Sequence, residues 1–219
     1  MVDVYFYGQA CIKIKGKNAS VVFDPFDPTM VGLPLPKLSS DIVCITHEHK
    51  DHNNAGAVFG AEEGAAPFVV RGPGEYEKLG VNIVGISSFH DEKEGEERGK
   101  NTIYNVTLDE VNFVHLGDLG QKKLTQDQVE ELSNCDVLFI PVGGVYTIDG
   151  KDAPDVISQI DPKIIIPIHY KIEGSKIELE DVKVFLTALG KESLEPQPKL
   201  SVSGDKLPEE PEVVLLAKQ

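Results

Sequence analysis

Apolar and polar residues alternate from the start of the chain. Val4 to Tyr7 and Cys11 to Lys15 carry the two-residue period of half-buried strands, with Ile12 and Ile14 set against Lys13 and Lys15. Gly16-Lys17-Asn18 is a turn signal, and Ser20 to Phe23 reads as a third strand that stops at Asp24-Pro25. Between Phe26 and Pro36 the prolines Pro28, Pro34 and Pro36 argue for a loop without a regular element. Asp41 to Ile45 is apolar after its first residue, as expected for a strand buried on both faces in a parallel or mixed sheet. Asn53 to Ala57 reads as a helix opening. Phe68 to Val70 is a short strand, followed by the turn-rich Arg71-Gly72-Pro73-Gly74.

Further strands are expected at Val81 to Ile86, Thr102 to Leu108, Val111 to Leu116, Val137 to Ile140 and Ile164 to Ile166, the second and third joined by a turn at Asp109-Glu110. Thr125 and Gln128 form a capping-box pattern, with Leu124 and Val129 placed as a staple, so Gln126 to Leu132 is expected to be helical. Asp152 is the expected cap of a second helix, Ala153 to Ile160. Leu179, Val182, Phe185, Leu186 and Leu189 form one stripe of a third, ended by Gly190. Glu195 to Pro211 reads as irregular and Val213 to Leu216 as an edge strand. Strands interleaved with helices place the chain in the α/β (α+β) class. With no dividing linker, repeat or low-complexity segment, residues 1–219 are expected to form one domain.

Composition narrows this picture. A 41% hydrophobic content supports a full core, and no apolar run reaches transmembrane length. Met1-Val2-Asp3-Val4-Tyr5 lacks the regions of a signal peptide, and the three scattered cysteines, Cys11, Cys44 and Cys135, suit a reducing, cytoplasmic setting. The formal charge of −15 disfavours nucleic-acid partners, and neither does anything point to a membrane. A small-molecule substrate is the expected partner, and a homo-oligomer is left open.

The chemistry is concentrated in Thr46-His47-Glu48-His49-Lys50-Asp51-His52, which holds half of the six histidines. Neutral imidazole is the commonest metal ligand, and a neighbouring carboxylate suits a divalent ion. Four strand candidates run directly into such groups: Ile42 to Ile45 into His47, Val81 to Ile86 into His90, Val111 to Leu116 into Asp118, and Ile164 to Ile166 into His169. Ligands gather beyond the carboxyl ends of strands in α/β sheets. His47 and His49 are two apart and can share one ion with His90, while Asp51, His52 and His169 serve a second. Asp118 is the natural bridge of a metal pair. Zinc is the default for an imidazole-rich, thiolate-free site, with Mn or Fe as alternatives. His115 competes with His90 as third ligand, although three residues before Asp118 on a strand its side chain faces the other way. Glu48 and Lys50 are expected to face away from the metals. Glu92 to Lys100 reads as a mobile solvated loop, apart from Arg98, whose guanidinium could clamp an anion. Gly143-Gly144 with Tyr146 and Thr147 is either a turn or a pocket wall. Asp24 is a turn former on composition, and support for the histidine cluster on a functional reading.

Together, His47-x-His49-x-Asp51-His52, His90, Gly117-Asp118 and His169 resemble the metallo-β-lactamase fold superfamily of metal-dependent hydrolases. Asp24 resembles that superfamily's first motif, and His90 stands where its third is expected. His115-x-Gly117-Asp118 and Ile166-Pro167-Ile168-His169-Tyr170 are similar to the branch that includes ascorbate-phosphate lactonase. The resemblance spans Asp24 to Tyr170 and implies a four-layer αββα sandwich with the metals at one rim. The function expected is a metallo-hydrolase, dinuclear with zinc, acting on a small ester, lactone or phosphodiester. Asp51 would orient the attacking water, and His115 or a water would protonate the leaving group. The alternatives are a nuclease-type phosphodiesterase and a non-catalytic metal-binding or interaction protein.

Overall fold

The computed structural model describes all residues, 1–219. The first half of the chain supplies β1 (Val2–Gly8), β2 (Cys11–Lys15), β3 (Ser20–Phe23), α1 (Pro28–Val31), β4 (Leu38–Ser40), β5 (Ile42–Ile45), β6 (Val58–Gly60) and β7 (Phe68–Arg71). Next come β8 (Gly74–Lys78), β9 (Val81–Phe89), β10 (Lys100–Leu108), β11 (Val111–His115), α2 (Gln126–Leu132) and β12 (Val137–Pro141). The chain ends with α3 (Ala153–Ile160), β13 (Ile164–Ile168), α4 (Lys183–Ala188), β14 (Leu200–Val202) and β15 (Glu212–Val213).

Two mixed sheets form, in the orders β14-β1-β2-β3-β5-β7 and β15-β13-β12-β11-β10-β9-β8, with a small β4-β6 pair beside them. The apolar run Ile42–Ile45 is β5, fully buried and parallel to both β3 and β7, as its composition implied. In the second sheet β11, β12 and β13 are parallel, joined by crossovers through α2 and α3. A core of 47 buried residues draws on both sheets. A second cluster, including Cys11, Phe26, Val31, Leu33 and Val58, fills the space under α1 and the β4-β6 pair. The architecture is thus an α/β sandwich, with one outer layer built from a single helical turn and loops. All three cysteines are buried and free, and burial raises each thiol. No helix is long and apolar enough to cross a membrane.

Several local expectations are corrected. Phe26 to Pro36 contains a regular turn after all: Pro28 occupies the first turn of α1, where its missing N–H costs nothing, and Asp27 caps it by accepting from Thr29 N at 2.8 Å. Asn53 to Ala57 makes only a 3₁₀ turn at Ala55–Ala57. Asp152 does not cap α3 with its side chain; Asp149 takes the N–H groups of Lys151 and Asp152 instead. Leu179 lies ahead of the short α4 rather than within it. Strand β8 carries little apolar signal and exists through pairing with β9, while β14, within the stretch expected to be irregular, pairs with β1. The capping box at Thr125 and Gln128 forms completely.

Candidate metal centre

The strands of both sheets end on one rim, and the chemistry collects there. Beyond β5 the chain curls through His47, His49, Asp51 and His52; His90 follows β9, Asp118 follows β11, and His169 follows β13. The donor atoms of His47, His49 and His90 lie within 4.8 Å of one another, as do those of Asp51, His52, Asp118 and His169. Asp118 sits between the groups: its Oδ2 is 3.8 Å from His47 Nε2, 3.2 Å from His52 Nε2, and 3.3 Å from Nε2 of both His90 and His169. Three of the loops at this rim contain left-handed backbone. His169 has φ +50°, Asp24 +44° and Gly117 +57°, conformations that the packing of the rim imposes.

Asp24 resolves its two readings in favour of support. It is fully buried and accepts from Thr46 N (2.8 Å), Thr46 Oγ1 (2.6 Å) and His52 Nδ1 (2.9 Å). Thr46 Oγ1 in turn lies 3.0 Å from His47 Nδ1. With the Thr46 hydroxyl proton committed to Asp24, His47 Nδ1–H is the donor to Thr46. One carboxylate therefore sets both His47 and His52 with their Nε2 lone pairs turned toward Asp118. Two further residues, absent from the sequence-based set, complete the support. Gln9, in the β1–β2 turn with φ +54°, donates from Nε2 to Asp51 Oδ2 at 3.0 Å and lies 3.0 Å from His169 Nε2. Asn101 accepts from Asp118 N at 3.1 Å while its amide holds Leu116 O and Ser88 Oγ at 2.8 Å each. Both are uncharged residues with ordinary neighbours, so nothing in a single sequence marks them.

The electrostatics are those of a crowded donor set. Burial and the His52 charge drive the His47 imidazole down to about 3, and burial likewise lowers His169. His52 moves up, because the charges and hydrogen bonds of Asp118, Asp24 and Asp51 outweigh burial. Asp118 stays ionised against burial through the His169 and His52 charges. Of the six buried side-chain nitrogen and oxygen atoms without a hydrogen-bond partner, five belong here: His47 Nε2, His52 Nε2, His90 Nδ1, Asp118 Oδ1 and His169 Nδ1. Orphaned buried donors and acceptors are costly unless something else satisfies them. Imidazoles and carboxylates converging with free lone pairs fit divalent cations.

His115 does not join this set, and its expected role as acid is corrected. It is fully buried, stacked on Phe23 at 4.9 Å, and both ring nitrogens are used. Gly117 N donates to Nδ1 at 3.1 Å, so Nε2 carries the proton and donates to Ala10 O at 2.9 Å. It reaches neither the donor cluster nor the cavity above it, as strand alternation demands three residues before Asp118.

A cavity of about 600 Å³ opens over the cluster, lined by His49, Asp51, His90, Asp118 and His169, with Met30, Arg98, Tyr146 and Ile177 on its walls. Glu48 and Lys50 also line it; both are exposed and stand outside the two donor groups. Gly143 lies under His169: a Cβ there would meet His169 O at 2.1 Å, so the Gly143-Gly144 turn is both a packing device and the approach to Tyr146. The charged loop after His90 is folded around one carboxylate. Asp91 accepts from the N–H groups of Lys93 (2.8 Å), Gly95 (2.9 Å), Glu97 (3.1 Å) and Arg98 (2.8 Å). Burial works against them, yet these bonds hold its carboxyl at about 2.

Residues 3–169 match the family model described as the beta-lactamase superfamily domain. A UPF0173 metal-dependent hydrolase of Thermococcus onnurineus is 29% identical over 78% of this chain and 85% of its own length. A second, from Pyrococcus furiosus, is 28% identical over 89% of this chain and 100% of its own. A solved Thermotoga maritima protein, described as a candidate Zn-dependent hydrolase, is 34% identical with a TM-score of 0.79, over 99% of this chain and 98% of that one. Fold, donor geometry and kinship agree: this chain belongs to the metallo-β-lactamase superfamily.

Proposed function

We propose that the chain is a two-metal hydrolase acting on a small ester, lactone or phosphodiester. His47, His49 and His90 would hold one ion, and Asp51, His52 and His169 the other, with Asp118 shared. The observation that carries this is the meeting of two donor groups at Asp118, each with its donor atoms within 4.8 Å, with His47 Nε2, His52 Nε2 and Asp118 Oδ1 buried and without a hydrogen-bond partner. Zinc suits that donor chemistry best. A cation pair bound there supplies Lewis acidity, lowering the pKa of water toward neutrality and stabilising negative charge on the scissile group.

The chain's own residues do the rest. Asp51 is kept ionised, because the His52 hydrogen bond and charge outweigh burial, and its carboxylate faces the cavity as a hydrogen-bond acceptor that orients a water. Gln9 holds Asp51 in that pose. His115 lies outside the cavity, and in this reading solvent protonates the leaving group. The cavity volume fits a small substrate rather than a polymer, and the charge of −15 points the same way.

Elemental analysis after metal-free purification and reloading tests the dinuclear reading: about two ions per chain are expected. One or none would sink it. A panel of aryl esters, lactones and model phosphodiesters, run on wild type and Asp118→Ala, tests the activity. Turnover should disappear with Asp118→Ala; turnover unchanged by it would remove the site from the reaction.

A further inference from the structure

The chain holds only two arginines, Arg71 and Arg98, among its 21 basic residues, and both line recesses at the metal rim. Arg98 lines both the 600 Å³ cavity and an adjoining recess of about 490 Å³, bordered also by Arg71 and Lys100. Guanidinium differs from ammonium in its planar fork of donors, which matches carboxylate and phosphate oxygens. Both such groups of a chain of net charge −15 are placed here, and only one of them, Arg71, is paired with a carboxylate.

The pairing pattern shows which charge is free. At the mouth, Glu48 is bound to Arg71 at 2.5 Å and to Asn53, and Glu97 to Lys93 at 2.5 Å. Both acids are thus neutralised from outside. Neither Arg98 nor Lys50 has a carboxylate within 4.0 Å. Arg98 is nevertheless held in place. Its backbone N–H is bound by Asp91, and its guanidinium carbon lies 5.3 Å from the centre of the Tyr146 ring. Tyr146 itself stands on a strained turn, since the preceding Val145 has φ +58°, a poor conformation for a β-branched residue. Strain of this kind persists where the surroundings over-determine it.

We propose that the substrate carries an anionic group, a carboxylate or phosphate remote from the scissile bond, and that Arg98 receives it at the cavity mouth. This rests on the hydrolase reading above and names its substrate class. Lys50 also lines the cavity and adds charge, while Met30, Ile177 and Tyr146 supply apolar wall, suiting a short apolar body. Arg98 then sets specificity, with no part in bond cleavage.

The test uses the full chain. Glutaranilic acid and its uncharged counterpart valeranilide are titrated calorimetrically into the metal-free wild type, R98Q and R98K. The wild type should bind the acid at least about tenfold more tightly than valeranilide, and R98Q should lose about tenfold for the acid, the scale of one charge-assisted hydrogen bond. R98K, keeping charge without the fork, should lose less. Acid bound no better than valeranilide, or equally by R98Q and wild type, would overturn the proposal. Since the side chain of Arg98 is exposed and its N–H remains on Asp91, R98Q retains the loop. In the metal-loaded protein, the ratio of kcat/KM for 4-nitrophenyl hemiglutarate over 4-nitrophenyl valerate should fall about tenfold in R98Q, and an unchanged ratio would contradict it. If neither ester is cleaved while the calorimetric difference stands, the ester-hydrolase reading fails and the anion seat survives.

Discussion

Asp24→Asn keeps the shape of the side chain and removes its charge. Two imidazoles then lose the acceptor that fixes their tautomers, so metal affinity should drop about 10- to 100-fold in a chelator competition, with little change in secondary structure by circular dichroism. Gln9→Leu removes the bond to Asp51 and the neighbour of His169 but leaves His47 untouched, so the ion count should fall toward one per chain, not zero. His115 is a different kind of residue. Burial lowers its pKa below the 6.5 of an unfolded chain, and protonation of Nδ1 would break the bond from Gly117 N. Its neutral form therefore adds stability that is present above about pH 6.5 and lost as pH falls below that value, where the unfolded state binds the proton and the native state resists it. The thermal midpoint of wild type should fall on acidification from pH 7 to pH 5, and His115→Gln should flatten that slope.

At the scale of elements, the loop after His90 depends on one carboxylate. Asp91→Ala frees four backbone N–H groups and with them the position of Arg98. Protease nicking within residues 92–100 should accelerate while metal content is retained, because His90 is also braced by Gly120 N donating to Phe89 O. The α2 cap makes a contrasting case, remote from the rim. Thr125→Ala should cost about 1 kcal/mol in urea unfolding and leave metal binding unchanged. These elements differ in how far they could be read from sequence. The capping box and the apolar runs of β5, β12 and β13 are local patterns whose meaning does not depend on a partner. Strand β8, Gly-Glu-Tyr-Glu-Lys with an exposed surface, is a strand only because β9 supplies its hydrogen bonds.

Across the whole molecule, the centre exists because strands of two sheets end on one rim. Tyr104 OH in β10 donates to Ile45 O at the end of β5, and Thr102 N donates to Thr46 O, so the sheets are tied beside the histidine run. The sequence by itself determined the ligand types, their positions at strand ends and the apolar core that could carry them, because residue chemistry and hydrophobic period are local properties. It left open whether His90 or His115 faces the centre, whether Asp24 turns the chain or supports it, and that Gln9, Asn101 and Asp91 matter at all. Only the tertiary structure decided these, since each depends on which polar groups, side chain or backbone, arrive within about 3 Å once the chain is folded, the range of a hydrogen bond.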